Sequence, residues 1–93
     1  MHIIFVAALI AQIHTGQDLL TACGENDSTV CDTFIHKAIV ESKGSACIDL
    51  KSIPASDLRQ FVVRSLVGPY VELTDSASAL VDNIFTDACR RAH

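Results

Sequence analysis

The sequence predicts an all-α fold: a small four-helix bundle stapled by two disulfides and preceded by a signal-peptide-like N-terminus. Three observations lead to this prediction. Apolar residues recur at helical spacing in four segments, glycine, proline and polar residues separate these segments, and the 93-residue chain contains four cysteines. No stretch after residue 11 alternates regularly between apolar and polar side chains, so β-strands are disfavoured.

The first eleven residues are apolar apart from His2. This run is shorter than the ~20 residues of a membrane span and suits the hydrophobic region of a secretory signal. We therefore expect residues 1–13 to form a signal-like segment for export and residues 14–93 to form the domain. Two features are unusual for a signal: no Lys or Arg precedes Lys37, and Leu9 is bulky for a cut after Ala11. The alternative is a buried N-terminal helix of a cytosolic domain, because a run of this length also suits a core helix.

The length and charge of the chain narrow the classes of function. A chain this short forms one domain with a marginal core, so a covalent staple is expected. Eleven acidic and seven basic side chains give a formal net charge of −4, and no Lys/Arg cluster is present to neutralise phosphates. Tryptophan is absent and other aromatic residues are few, which disfavours stacking on single strands or sugars. Nucleic acid is therefore not an expected partner.

The first predicted helix spans residues 16–23. We expect Gly24 to end it in a left-handed conformation, which glycine adopts without steric cost. The apolar positions of this helix follow i, i+3, i+4 and i+7 spacing: Gly16, Leu19, Leu20 and Cys23.

The second predicted helix follows a polar loop at residues 24–28. Asp27 or Ser28 is the predicted N-cap, because a short side-chain oxygen accepts the unpaired N–H groups of a first turn. Lys43 and Gly44 are expected to lie at its end, the lysine opposing the helix dipole. The apolar face consists of Cys31, Phe34, Ile35, Ala38 and Ile39.

The third predicted helix begins at Ser56, its expected N-cap, after a connection that ends at Pro54. Gly68 and Pro69 terminate it, because proline cannot continue a helix. Its expected inward face is Leu58, Phe61, Val62, Ser65 and Leu66.

The fourth predicted helix begins near Thr74 or Asp75. Arg90 and Arg91 lie in its last turn, where cations stabilise the helix end. It carries the longest apolar stripe of the chain: Ala77, Leu80, Val81, Ile84, Phe85, Ala88 and Cys89.

The cysteines Cys23, Cys31, Cys47 and Cys89 are all expected to point inward and to be paired. Two bridges would each contribute roughly 2–4 kcal/mol to stability. Four cysteines allow three pairings, which sequence alone does not distinguish. The preferred hypothesis joins Cys23 to Cys31 across the polar loop, and Cys47 in the long connection to Cys89 in the last helix.

The residues do not predict catalysis or metal binding. Gaps of seven, fifteen and forty-one residues between successive cysteines fit no zinc module, so no metal or other cofactor is expected. His36 lies about 140° around the helix from Cys31, which separates an imidazole from the only nearby thiol. Five aspartates lie apart from one another in the sequence and are interpreted as caps or solvated groups: Asp27, Asp32, Asp49, Asp75 and Asp82. No catalytic residue is predicted, and the chain is not expected to be an enzyme.

A pattern of cysteines within helices resembles the Rap/Tai immunity proteins of type VI secretion. The pattern runs from residue 16 to residue 89 and comprises Gly16-x-x-Leu19-Leu20-x-x-Cys23, Cys31-x-x-Phe34-Ile35, Ala46-Cys47-Ile48, Leu58-x-x-Phe61-Val62-Val63-x-x-Leu66, Ala79-Leu80-Val81 and Ala88-Cys89. The resemblance implies a periplasmic, all-helical, disulfide-bonded protein that is typically a homodimer. It also implies that the chain binds a cell-wall amidase effector and covers its active-site cleft.

The chain departs from the family at two places. Gly68-Pro69-Tyr70 stands where the family usually has a His-Pro-Glu turn, and Asp87-Ala88-Cys89 stands where it has Phe-Pro-Cys. Because the effector-facing surface varies among such proteins, no contact residue is transferred by motif. Exposure and position alone suggest two contact loops, residues 24–28 and 68–73. The predicted contact residues are Glu25, Asn26, Asp27, Tyr70 and Glu72.

Other functions fit the same composition. A small periplasmic chaperone of the HdeA acid-stress type would expose apolar surface when its carboxylates are protonated, and eleven acidic groups permit such opening. A helical interaction module with an unknown partner is a further alternative. An enzyme ranks last and would be reconsidered only if thiol titration of the native protein found a reactive free cysteine.

Overall fold

The computed structural model describes residues 9–92, and this part of the chain contains four complete helices. Helix α1 spans Gly16–Cys23, α2 spans Thr29–Glu41, α3 spans Ala55–Leu66 and α4 spans Ala77–Arg91. Each helix contacts the other three. Residues 9–11 add a short helical segment, and the described residues form no strand beyond an isolated bridge between residues 15 and 76. The predicted all-α fold is confirmed.

The core lies where the four helices face one another. Each helix contributes at least one side chain with no exposed surface: Leu19, Cys31, Val62 and Val81 are all 0% exposed. Burial of such side chains is worth about 1.5–3 kcal/mol each and is the main stabilising term. The predicted apolar faces supply most of the remaining buried side chains: Phe34, Ile35, Ala38, Ile39, Leu58, Leu66, Ala77, Leu80, Phe85 and Cys89.

Residues 9–13, the described end of the predicted signal-like segment, pack against this core. Ile13 is 9% exposed and lies within the core cluster, and Ile10 contacts the cluster while half-buried. The carbonyl of His14 then accepts a 2.9 Å hydrogen bond from the N–H of Ala77, at the start of α4. The rest of the signal-like segment, residues 1–8, lies outside the described residues. No helix among residues 9–92 is both long enough and apolar enough to cross a membrane.

A capping box that was not predicted begins α1. The N–H of Asp18 donates to the Thr15 hydroxyl at 3.2 Å, and the Asp18 carboxylate accepts from the N–H groups of Thr15 and His14 at 3.1 and 3.0 Å. The predicted left-handed cap at the other end is wrong. Gly24 has φ of −87°, because the chain leaves α1 through a right-handed turn in which its N–H donates to Leu20.

Both residues predicted to cap α2, Asp27 and Ser28, lie at its N-terminus, but they play different parts. Ser28 occupies the N-cap position, but its side chain makes no capping bond. Asp27 instead accepts from both the N–H and the hydroxyl of Thr29, at 3.0 and 2.6 Å. Helix α2 ends at Glu41, so Lys43 and Gly44 lie just beyond its last turn. Lys43, which was predicted at the end of the helix, therefore lies outside its last turn.

The first residues of α3 and α4 differ from the predicted ones. Pro54 occupies the N-cap of α3 in place of Ser56; its φ of −59° and missing N–H suit a helix boundary. Helix α4 begins at Ala77, with the Ser76 hydroxyl accepting from the N–H of Ala79 at 3.4 Å. The carbonyl of Asp75, a predicted starting residue, accepts instead from the N–H of Gly16, so tertiary pairing delays the helix.

Two disulfides connect the helices with the predicted pairing. Cys23 at the end of α1 is joined to Cys31 in the first turn of α2, and Cys47 in the connection is joined to Cys89 in α4. No cysteine is free. Cys47 is exposed because the connection that carries it runs along the surface, while its Sγ is bonded to that of the buried Cys89.

Beside the second disulfide, a polar cluster attaches the connection to α4. The Ser42 hydroxyl donates to Asp82, Ser45 donates to Ser42 at 2.9 Å, and Thr86 donates to Asp82 at 3.3 Å. Gly44 lies so close to Thr86 that a Cβ at this position would overlap the Thr86 side chain. These contacts explain why Ser45, although polar, is only 2% exposed.

Candidate partner-binding surfaces

The first predicted contact loop, residues 24–28, projects between α1 and α2. The disulfide from Cys23 to Cys31 joins the two ends of the loop, with the Cα atoms 4.9 Å apart. Glu25, Asn26 and Asp27 are all exposed. Because both ends are fixed, this loop presents its polar side chains with little conformational entropy left to lose on binding.

An ion pair from α3 also holds this loop, and we call it the Arg59 clamp. The Arg59 guanidinium lies 2.6 and 2.7 Å from the two carboxylate oxygens of Asp32, and it donates to the Ser28 hydroxyl at 2.8 Å. The Arg59 and Asp32 side chains are 24% and 23% exposed, so solvent screens the pair only partly. The clamp therefore attaches the last residue of the loop to the bundle.

We predict that Arg59→Gln lowers the free energy of unfolding by about 1–2 kcal/mol, since charge-assisted hydrogen bonds are lost at a half-buried site. Asp32→Asn should cost a similar amount, and the double variant should cost less than the sum of the two. Denaturant unfolding of the four proteins provides the measurement. If the losses of unfolding free energy in the two single variants add up to the loss in the double variant, the interaction between Arg59 and Asp32 does not stabilise the fold.

An open groove of about 550 Å³ lies beside the loop, and we call it the acidic groove. Its apolar side chains come from the N-terminal segment and from the two helices that the loop connects. Its rim carries three exposed carboxylates, from Asp18, Glu25 and Asp27, and its lining residues among 9–92 include no Lys, Arg or His. The residues that line it are Leu9, Gln12, Ile13, Asp18, Thr21, Ala22, Glu25, Asn26, Asp27 and Val30.

Backbone and hydroxyl donors keep two of these carboxylates ionised. Hydrogen bonds from the N–H groups of His14 and then Thr15 lower the pKa of Asp18 below its usual 3.8. The hydroxyl of Thr29, followed by its N–H, lowers the pKa of Asp27 from the same usual value. Asp18 and Asp27 therefore keep their negative charge to a lower pH than an ordinary aspartate.

The lowered pKa of Asp18 predicts the direction of a pH effect. A carboxyl whose pKa is lower in the folded state contributes stability above its unfolded pKa, and this contribution is lost as pH falls through the folded value. We expect Asp18→Asn to be less stable than the parent chain at pH 7. This difference should shrink as pH falls below about 3.8. Urea midpoints of both proteins between pH 7 and pH 2.5 test this, and a pH-independent difference would contradict it.

The second predicted contact loop, residues 68–73, borders a larger groove of about 800 Å³, which we call the tyrosine groove. Tyr70 is 95% exposed at its edge, and Val67 next to the loop is 64% exposed. An ion pair between Arg91 and Asp87, 2.9 Å apart, lies along α4 within the lining. The apolar side chains of the groove are Phe61, Val71, Leu80, Ile84 and Ala88.

The structure does not bring the two predicted loops together. Leu73 at the end of the second loop accepts a 2.9 Å hydrogen bond from the N–H of Gln17, in the first turn of α1. The first loop follows Cys23 at the opposite end of that helix. Eight residues of α-helix span about 12 Å, so the two loops lie at opposite ends of α1. They form two separate candidate surfaces.

Several residues of these surfaces were not predicted from the sequence. Arg59 was not predicted as a partner of Asp32, because 27 positions separate them and no local pattern connects them. Leu9 lies in the predicted signal-like segment but is 45% exposed in the acidic groove. Phe61 was predicted in the core and also lines the tyrosine groove. The available signal for the acidic groove was the absence of Lys and Arg before Lys37, together with the acidic residues Asp18, Glu25 and Asp27.

The described residues offer few groups for catalysis or metal binding. Among residues 9–92, no three His, Cys, Asp or Glu side chains are grouped closely enough to hold a metal ion. His14 and His36 are both exposed. Every buried polar side-chain atom in this part of the chain has a hydrogen-bond partner.

Comparison with known proteins leaves the family open. A scan against family models, a search of curated proteins and a search of solved structures each found no significant match to this chain. The resemblance to Rap/Tai immunity proteins therefore remains a prediction based on the residues quoted above.

Proposed function

We propose that this chain is an exported helical binding protein of the immunity type, which occludes a cell-wall amidase effector of type VI secretion in the periplasm. One observation carries the proposal: the loop of residues 24–28 is held by both a disulfide and the Arg59 clamp beside an open groove. An inhibitor that acts by occlusion needs such a surface, because a rigid loop loses little entropy on binding.

The cysteines support the proposed compartment. All four are paired within one small domain, and disulfides of this kind form and persist in oxidising environments such as the periplasm. The proposed export signal lies in residues 1–13, and a cut after Ala11 would leave Gln12 and Ile13 in the acidic groove while removing Leu9. Fractionation of cells that produce the full chain, followed by thiol labelling, tests both points. The proposal expects an oxidised protein in the periplasmic fraction, and a reduced protein in the cytosol would contradict it.

Inhibition of an amidase is the direct test of the function. Purified oxidised chain is mixed with each of a panel of type VI cell-wall amidases, and peptide release from peptidoglycan is measured. The expected result is stoichiometric inhibition of one amidase and a stable complex on size exclusion. The matched control is the Cys23→Ala, Cys31→Ala variant, which should inhibit more weakly because its loop is no longer closed. A panel without binding or inhibition would reject the amidase as partner.

A further inference from the structure

The acidic groove carries three carboxylates and no Lys, Arg or His among its described lining residues. The chain has no Lys or Arg before Lys37, so α1 and the loop after it contribute carboxylates alone. Asp32, the next acidic residue, is neutralised by Arg59 at 2.6 Å, whereas Asp18, Glu25 and Asp27 have no basic partner in the groove lining. The negative charge at this end of the bundle is therefore concentrated on the groove rim.

Apolar side chains lie between these carboxylates. Ala22 and Val30 are half-buried, and Ile13 is buried behind them. A volume of about 550 Å³ is large enough to accept a bulky apolar side chain. An apolar side chain entering the groove would lose contact with water, while cations on either side of it would meet the three rim carboxylates.

We propose that the acidic groove binds a basic, amphipathic protein segment, with an apolar side chain inserted in the groove and Lys or Arg side chains paired with the rim. Charge complementarity selects this occupant, because an acidic rim repels anionic segments and anionic lipid surfaces. The inference rests on the proposed function, since it assigns the surface through which the chain would contact its effector. The tyrosine groove suits such a segment less well, because its lining includes the cation Arg91 beside the carboxylates of Glu72, Asp75 and Asp87.

The test uses the full oxidised chain and a short helical peptide of leucine and lysine. Titration followed by backbone NMR should shift the amide signals of Ala22, Glu25, Asp27 and Val30, and affinity should fall as salt rises. The same peptide with glutamate in place of lysine should not bind. Binding of both peptides alike, or shifts centred on Tyr70, would overturn the proposal.

Two pairs of variants separate charge from apolar contact. Glu25→Lys should weaken binding of the leucine-lysine peptide roughly tenfold or more, because one attraction becomes a repulsion. Glu41→Lys makes the same change at an exposed position outside the groove and should bind like the parent. Val30→Thr should weaken binding of the leucine-lysine peptide without changing the salt dependence of binding. Val40→Thr, on the exposed face of α2, should leave the affinity unchanged. Equal affinities within either pair would overturn the proposal.

The amidase assay then distinguishes this inference from the proposed function. If Glu25→Lys loses inhibition of the amidase while Glu41→Lys keeps it, both are supported. If Glu25→Lys inhibits as well as the parent, the function stands and the groove assignment is rejected. If the peptide binds at the groove and no amidase is inhibited, the groove inference stands and the effector is a different basic protein.

Discussion

Replacement of Cys47 and Cys89 by alanine is expected to lower the free energy of unfolding by about 4 kcal/mol, the largest effect of any bridge in this fold. The sequence separation of this bridge is 42 residues, which covers α3 and most of α4. A cross-link stabilises mainly by reducing the entropy of the unfolded chain, and the reduction grows with the closed loop. For a chain of this size, such a loss approaches the whole net stability of the fold.

The other bridge provides the matched comparison. Cys23 and Cys31 are separated by 8 residues, for which the same relation gives about 2.5 kcal/mol. Guanidinium unfolding of the parent and the two double variants, all without reductant, measures the order of the two effects. A larger loss for the short bridge would show that local support of the α1–α2 turn outweighs restriction of the unfolded chain.

Local residue patterns were sufficient to predict the helices, whereas the disulfide pairing was a preferred choice among three that sequence alone does not distinguish. Apolar spacing depends only on the 3.6-residue period, so the buried faces of α2 and α4 followed directly from the sequence. The Cys23–Cys31 pair was preferred because a cysteine at each end of a short loop can be bridged when the two helices are antiparallel. The helix prediction depends on residues that are close in sequence. The pairing prediction depends on a choice among only three possible pairings.

The helix starts and the grooves depend on contacts that no local pattern contains. The start of α4 is set by backbone bonds to the segment before α1, including the N–H of Ala77 to the carbonyl of His14. The Arg59 clamp requires that α3 pack beside the first turn of α2. Likewise, the acidic groove exists only because Ile13, α1 and α2 enclose one volume. Polar loops were predicted as contact surfaces, but the apolar lining beside them required the packed structure.

Replacement of Phe85 by alanine is expected to cost about 3–5 kcal/mol, because a large buried ring is removed and the cavity left behind collapses only partly. Phe85 is 2% exposed in α4, and its ring lies 5.5 Å from that of Phe61 in a tilted arrangement. Phe85→Leu retains most of the volume and should cost less than half as much. Val67→Ala, at a side chain that is 64% exposed, should change stability by less than about 0.5 kcal/mol.

Thermal and denaturant unfolding measure the loss of stability in each of these variants. A structural consequence distinguishes lost packing from lost hydrophobicity alone. Phe61 packs on Phe85 from one side and lines the tyrosine groove on the other. Loss of the Phe85 ring should therefore let Phe61 move inward and deepen the tyrosine groove, while the acidic groove at the far end of α1 is unchanged. Equal losses of stability in Phe85→Ala and Phe85→Leu would contradict the predicted ranking, because the packed volume at residue 85 would then contribute nothing to stability.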